Sequence, residues 1–186
     1  MPKSPEQLLA DARRGSPASF LRLFDEYHGP VYRFAWRLTR SAADAEDIVQ
    51  ECFLALLKPG CGFDPARSGI RAYLFGAVRN QCLKRLRLRE DAAADPAGAF
   101  DGRTPESEAL QGELAGAVAA AIAGLPETQR EVLLLAHYEQ LPLAEIAEIT
   151  QVEVGAVKSR LQRARAALRE KLAAWAPATV EAHHER

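Results

Sequence analysis

The chain has 186 residues, 48% of them hydrophobic and 26% charged, the balance of a soluble globular protein with room for one domain or two small ones. Its net charge of −1 argues against a nucleic-acid binder if only the sum is considered. No secretory or membrane-spanning segment is visible: the start, Met1-Pro2-Lys3-Ser4-Pro5-Glu6, has no apolar run, and the most apolar stretch, residues 115–125, is far short of the ~20 residues a bilayer requires. A cytoplasmic protein without membrane insertion is expected. The three cysteines, Cys52, Cys61 and Cys82, form no Cys-x-x-Cys pair, so neither a zinc knuckle nor a disulfide framework is indicated. Reduced, partly buried thiols are expected, with oxidation sensing as the rival role.

Ala, Leu, Glu and Arg dominate, and Val, Ile and Thr never alternate as in strands, so an all-α fold is expected. A first helix spans about residues 5–13. Ser16 then caps a second helix with Pro17 at its first position, carrying Phe20, Leu23, Phe24, Tyr27, Val31, Phe34, Ala35 and Leu38 at helical spacing and a bend at Gly29-Pro30. Ser41-Ala42-Ala43-Asp44 resembles a capping box and opens a helix to about residue 57. Residues 58–65, with Pro59, Gly60, Gly62 and Pro65, are a loop. Ser68 caps the next helix, which runs through Arg89.

Residues 90–104 form an acidic linker with little to bury. Helix restarts after Thr104-Pro105, Leu125-Pro126 and Leu141-Pro142. A final helix covers about residues 154–175, and residues 176–186 are a frayed tail. Two modules follow, residues 1–89 and 105–175.

Charge is distributed in blocks. Residues 71–89 carry six basic side chains and no acidic one, residues 155–172 carry six basic and one acidic, and residues 90–113 between them carry seven acidic and one basic. Distribution of this kind allows two cationic contacts with nucleic acid despite the negative sum.

The clearest motif lies in the second module. Leu143-Ala144-Glu145-Ile146-Ala147-Glu148-Ile149-Thr150 reads as a short helix, Gln151-Val152-Glu153 as a tight turn, and the following segment as a second helix that buries Val157, Leu161, Ala164 and Leu168. Lys158, Ser159, Gln162, Arg163 and Ala166 are left on one exposed stripe. A helix-turn-helix of this form can place its second helix in the major groove, where Lys and Arg reach guanine and Gln reaches adenine. Leu125-Pro126-Glu127-Thr128-Gln129-Arg130-Glu131-Val132-Leu133, Ala144 to Ile149, and Val154-Gly155-Ala156-Val157-Lys158-Ser159-Arg160-Leu161-Gln162-Arg163-Ala164-Arg165 together resemble region four of extracytoplasmic-function (ECF, group IV) RNA polymerase sigma factors. The resemblance implies recognition of the minus-thirty-five promoter element, with Lys158, Ser159, Gln162 and Arg163 facing bases or phosphates and Arg160 and Arg165 on the backbone. Gln151, Glu153 and Ala156 stand where the family often has Gly, Pro and Thr.

Val31-Tyr32-Arg33-Phe34-Ala35-Trp36-Arg37-Leu38, with Asp44-Ala45-Glu46-Asp47-Ile48-Val49-Gln50-Glu51-Cys52-Phe53, is similar to region two of the same family. That similarity implies that Asp44, Glu46, Asp47, Gln50 and Glu51 dock on the beta-prime clamp helices of core RNA polymerase, with the beta flap as a further partner. No His or metal-ligand spacing accompanies these carboxylates, so the residues offer no acid–base catalysis, and neither an enzyme, a cofactor nor a small-molecule substrate is expected. The cationic helix from Ser68 and the loop before it match the family element that opens the minus-ten promoter element and traps an unstacked base; the matching residues are Phe63, Arg67, Arg79, Asn80, Lys84 and Arg87. Extracting a base costs a few kcal/mol, which stacking and hydrogen bonds must offset. Phe63 is either a base platform or a loop anchor.

The expectation is an all-α protein of two small helical domains joined by an acidic linker that enters the polymerase channel and mimics nucleic acid. It binds core RNA polymerase and promoter DNA under the control of an anti-sigma factor. A stand-alone helix-turn-helix regulator and a sigma mimic that sequesters an anti-sigma factor are the rivals.

Overall fold

The computed structural model describes residues 3–92 and 113–173, with residues 90–92 described as helix only. Among the described residues there are eight α-helices and no strand. The first module is α1 (Pro5–Arg13), α2 (Pro17–Thr39), α3 (Ala42–Leu57) and α4 (Ile70–Ala92); the second is α5 (Glu113–Ala123), α6 (Glu127–His137), α7 (Leu143–Thr150) and α8 (Val154–Lys171).

Local chemistry sets the helix starts. Ser4 and Gln7 form a reciprocal capping box on α1, and the Ser16 hydroxyl accepts from the Ser19 N–H at the start of α2, where Pro17 loses nothing by lacking an N–H. Ser41 accepts from the Asp44 N–H at 3.2 Å, so half of the expected capping box is present. The Asp44 carboxylate leaves it to accept from Arg85 at 2.8 Å and to pair with Arg89. The first helical hydrogen bond of α4 runs from the Tyr73 N–H to the Gly69 carbonyl, which moves the cap from Ser68 to Gly69. The α2 helix passes through Gly29-Pro30 as one element. Pro30 has no N–H to offer the carbonyl four residues earlier.

Two boundaries differ from the sequence expectation. The α4 helix continues to Ala92 instead of ending at Arg89, and α8 ends at Lys171. Most of the linker, the helix restart after Pro105 and the tail lie outside the described residues.

In the first module α2, α3 and α4 enclose Phe34, Leu38, Ile48, Phe53, Leu74 and Val78, all at most 2% exposed. Cys52 and Cys82 belong to this core and Cys61 is half-buried; all three are free thiols. Burial pushes the Cys52 thiol up to about 11 and that of Cys82 to about 12, which keeps both protonated and inert. In the second module Val132, Leu135, Ile146, Val157 and Ala164 are fully enclosed between α6, α7 and α8. Gln151 ends α7 in the left-handed region, φ 55° and ψ 44°, at a strain of ~1 kcal/mol for a residue with a Cβ.

The modules pack on each other. The α4 helix lies against α7, and α2 against α6 and the turn after it. A Cβ on Gly76 of α4 would lie 3.9 Å from the Ile149 carbonyl of α7. Residues of α4 are therefore buried on more than one side: Leu74 and Val78 in the first module, and the Arg71, Gly76 and Arg79 side toward the second.

Candidate nucleic-acid interface

The helix-turn-helix is built as its spacing dictates. Val157, Leu161 and Ala164 pin α8 to the core, with Leu168 half-buried below them. Lys158, Ser159, Gln162, Arg163, Arg165 and Ala166 are exposed on the other side. The Ser159 hydroxyl donates to the Gly155 carbonyl at 3.0 Å, and Arg163 Nε donates to the Ser159 carbonyl at 3.3 Å, so both side chains lie along the helix surface. Arg165 Nε lies 3.3 Å from His137 Nε2. An α-helix ~10–12 Å across fits a major groove ~12 Å wide. Arg160 is set apart: it is half-buried and reaches the Glu131 carboxylate at 3.4 Å.

The cationic residues of α4 divide in the same way. Lys84 and Arg87 are exposed, as is Arg67 in the loop before the helix. Arg85 and Arg89 are paired with Asp44. The Arg79 side chain is only 14% exposed and grips Glu131 with two nitrogens, Nε at 2.7 Å and Nη2 at 3.2 Å. Its Nη1 donates to Asn80 Oδ1 at 3.1 Å. Phe63 packs edge-on against Tyr73 with ring centroids 5.3 Å apart, and the Tyr73 hydroxyl donates to the Cys61 carbonyl at 2.6 Å. Here Phe63 anchors its loop.

On α3, Glu46, Asp47, Gln50 and Glu51 are exposed, and Gln50 Nε2 donates to Glu46 Oε1 at 2.8 Å. Asp44 does not share that surface. It is buried, and its carboxylate ties α3 to α4.

Sequence reasoning missed the carboxylates that join the modules. Glu131 of α6, with no exposed side-chain area, lies between Arg79 of α4 and Arg160 of α8. Glu139, 4% exposed after α6, lies 3.8 Å from Arg33 and 3.5 Å from Arg37, and the Arg37 guanidinium sits 4.1 Å over the Tyr138 ring. Burial raises the Glu139 carboxyl above the ordinary glutamate range, and the two arginines partly oppose that rise. Glu145 of α7 accepts from Arg71 Nε at 2.8 Å. Glu131 did carry a signal: it heads the run Glu131-Val132-Leu133-Leu134-Leu135, every member of which is buried, and a carboxylate in such a run needs a cationic partner.

A helix-turn-helix with an exposed cationic stripe, docked to a second helical module with its own cationic helix, defines a two-module DNA-binding protein. Comparison with known proteins narrows the class. The family model Sigma-70 region 2 matches residues 23–91, and Sigma-70, region 4 matches residues 115–168. The ECF RNA polymerase sigma factor SigL of Mycobacterium tuberculosis is 35% identical over 168 residues, covering 87% of this chain and 93% of that protein. SigW of Bacillus subtilis, also an ECF RNA polymerase sigma factor, is 29% identical over 88% of this chain and 94% of its own length. Among solved structures, CnrH in complex with the cytosolic domain of CnrY superposes with a TM-score of 0.67 at 26% identity, covering 90% of this chain and 96% of that one. RpoE in complex with the anti-sigma factor NepR from Bartonella quintana gives 0.64 at 25% identity, covering 83% and 96%.

The chain belongs to the ECF sigma factors of the sigma-70 family. It directs RNA polymerase to promoters, and it acts by binding rather than by catalysis. Among the described residues no helix is long and apolar enough to cross a membrane.

Proposed function

We propose that the exposed α8 stripe of Lys158, Ser159, Gln162, Arg163 and Arg165 reads the minus-thirty-five element. Arg67, Lys84 and Arg87, with Asn80, Arg79 and the Phe63 loop, engage the minus-ten element. The α3 face of Glu46, Asp47, Gln50 and Glu51 docks on the beta-prime clamp helices, and the second module docks on the beta flap. The first module then comprises residues 1–89 extended along α4, and the second residues 105–175. An anti-sigma factor bridging both modules fits the likeness to RpoE in its complex with NepR.

The observation that carries this reading is the division of α8 into a sealed apolar side and a side bearing Lys158, Gln162 and Arg163 that is exposed among the described residues. Its test is run-off transcription with purified core polymerase. The Arg163→Glu variant keeps polymerase binding and loses promoter discrimination by about tenfold to a hundredfold, the range of a lost bidentate base contact. Asp47→Lys weakens polymerase binding itself. Two variants indistinguishable from the wild type would refute the assignments.

A further inference from the structure

We infer that Arg13 of α1 is a positioning residue for minus-ten recognition: it holds the root of the loop at residues 58–69, so that the tip bearing Arg67 is aimed before promoter DNA arrives. The inference rests on the proposed assignment of that loop and α4 to the minus-ten element.

The α3 helix ends at Leu57, so the carbonyls of its last turn have no helical N–H to bond them. One of these, that of Leu56, accepts from Arg13 twice, from Nε at 3.2 Å and from Nη2 at 2.9 Å. A guanidinium placed there also meets the negative end of the helix dipole. The same Nη2 donates to Cys61 Sγ at 3.0 Å. One fork thus ties α1 both to the point where the loop leaves α3 and to a residue inside the loop. Gly60 and Gly62 flank Cys61 at φ 77° and 83°, a backbone shape that a Cβ would strain. On the α4 side, the Tyr73 hydroxyl donates to the Cys61 carbonyl at 2.6 Å. Burial pushes that hydroxyl up to about 12, so it stays a donor across the neutral range.

The loop therefore divides into a root and a tip. The root, Cys61 with Phe63 packed edge-on against Tyr73, is fastened to α1 and α4. The tip folds on itself. The Asp64 carboxylate accepts from the Ala66 N–H at 2.9 Å, and the Asp64 carbonyl accepts from the N–H groups of Arg67 and Ser68 at 3.0 and 3.2 Å. Residues 64–67 are all exposed. A tip that keeps its own shape moves as a unit, so its direction is set at the root. Ordering the loop in advance also spares the entropy that base capture would otherwise cost. Arg13 is exposed and lies outside the apolar core, so it acts on the loop and not on the packing of the helices.

Holoenzyme reconstituted from the full chain and core polymerase tests this. The readout is a discrimination ratio: the rate of open-complex formation on a promoter, divided by the rate on the same promoter with one base changed. It is taken once for the minus-ten and once for the minus-thirty-five element. Arg13→Ala lowers the minus-ten ratio about tenfold, the scale of one hydrogen bond from a charged donor, and leaves the minus-thirty-five ratio unchanged. Tyr73→Phe, which keeps the ring and removes the donor, lowers the same ratio by a smaller factor. Arg13→Lys keeps a charge at the α3 terminus and recovers part of it. A mere loss of folded protein slows every template equally and moves neither ratio. Amide exchange of the full chain without DNA reads the root by itself. The Lys58 N–H, bonded to the Ala55 carbonyl at 3.0 Å where the loop leaves α3, exchanges faster in Arg13→Ala than in the wild type. A minus-ten ratio that Arg13→Ala leaves at the wild-type value while Arg67→Ala lowers it overturns the positioning role alone. If Arg67→Ala leaves the ratio in place as well, the minus-ten assignment of the loop falls, and the positioning role with it.

Discussion

Glu131 has no exposed side-chain area and faces guanidinium groups from two other helices, a placement that a carboxylate tolerates only while those partners stay. Glu131→Ala leaves the partly buried Arg79 and Arg160 without their anion. The expected cost is ~3–5 kcal/mol, read as a lower urea midpoint with an unchanged slope. Removing an exposed pair such as Lys3 with Asp11, in which the lysine side chain is 54% exposed, leaves the midpoint nearly where it was, because solvent and salt screen it. Glu139 adds a pH dependence of definite sign. Its carboxyl is raised first by burial, with Arg33 and Arg37 facing it from α2 and pulling it back. A carboxyl raised in the docked form favours docking below its undocked value and loses that contribution as pH climbs through the raised one. Closure therefore tightens on acidification through the acidic range. Glu139→Gln flattens this trend, as scattering across a pH series on both proteins will record.

The helices differ in how plainly their roles could be read from spacing, and the difference has a physical cause. On α8 the apolar positions recur at 157, 161 and 164 because the helix packs on one side only, so both its core and its exposed stripe were legible. Leu161→Ala should cost ~2–5 kcal/mol through the cavity it leaves. Gln162→Ala, one residue on, should leave stability within ~0.5 kcal/mol and weaken promoter discrimination. Thermal melts paired with run-off assays separate the two effects. Spacing failed on α4. That helix buries Leu74 and Val78 in its own module and turns Arg71, Gly76 and Arg79 toward the other, so apolar and basic residues fall around the whole helix. A count of its cations gave no sign that Glu131, 52 residues away in the chain, holds Arg79. Asp44 misled for a similar reason. Its position after Ser41 suits a capping box, but Arg85 and Arg89 offer stronger, charge-assisted bonds than a backbone N–H. Partners distant in sequence leave no local trace, and that is where the reading from sequence ended.

At the scale of the whole molecule, two small helical modules meet along a border that carries several pairs of unlike charge. The buried apolar residues of both modules form one continuous cluster, and the pairs Arg71 with Glu145 and Arg33 with Glu139 lie at the border between modules, with arginine side chains 48% and 44% exposed. Salt screens such rim pairs over ~8–10 Å, so their contribution falls at moderate ionic strength. On the reading proposed above, both modules grip one duplex at the same time under the polymerase. The most direct measurement is run-off transcription from one promoter with the spacer between its two elements lengthened by five base pairs. Half a turn of B-DNA carries the upstream element to the opposite side of the duplex. The account predicts that selective initiation collapses with the insertion and recovers for a chain–polymerase complex only when the original spacing is restored. Initiation that proceeds at the same site and rate on both templates would contradict it.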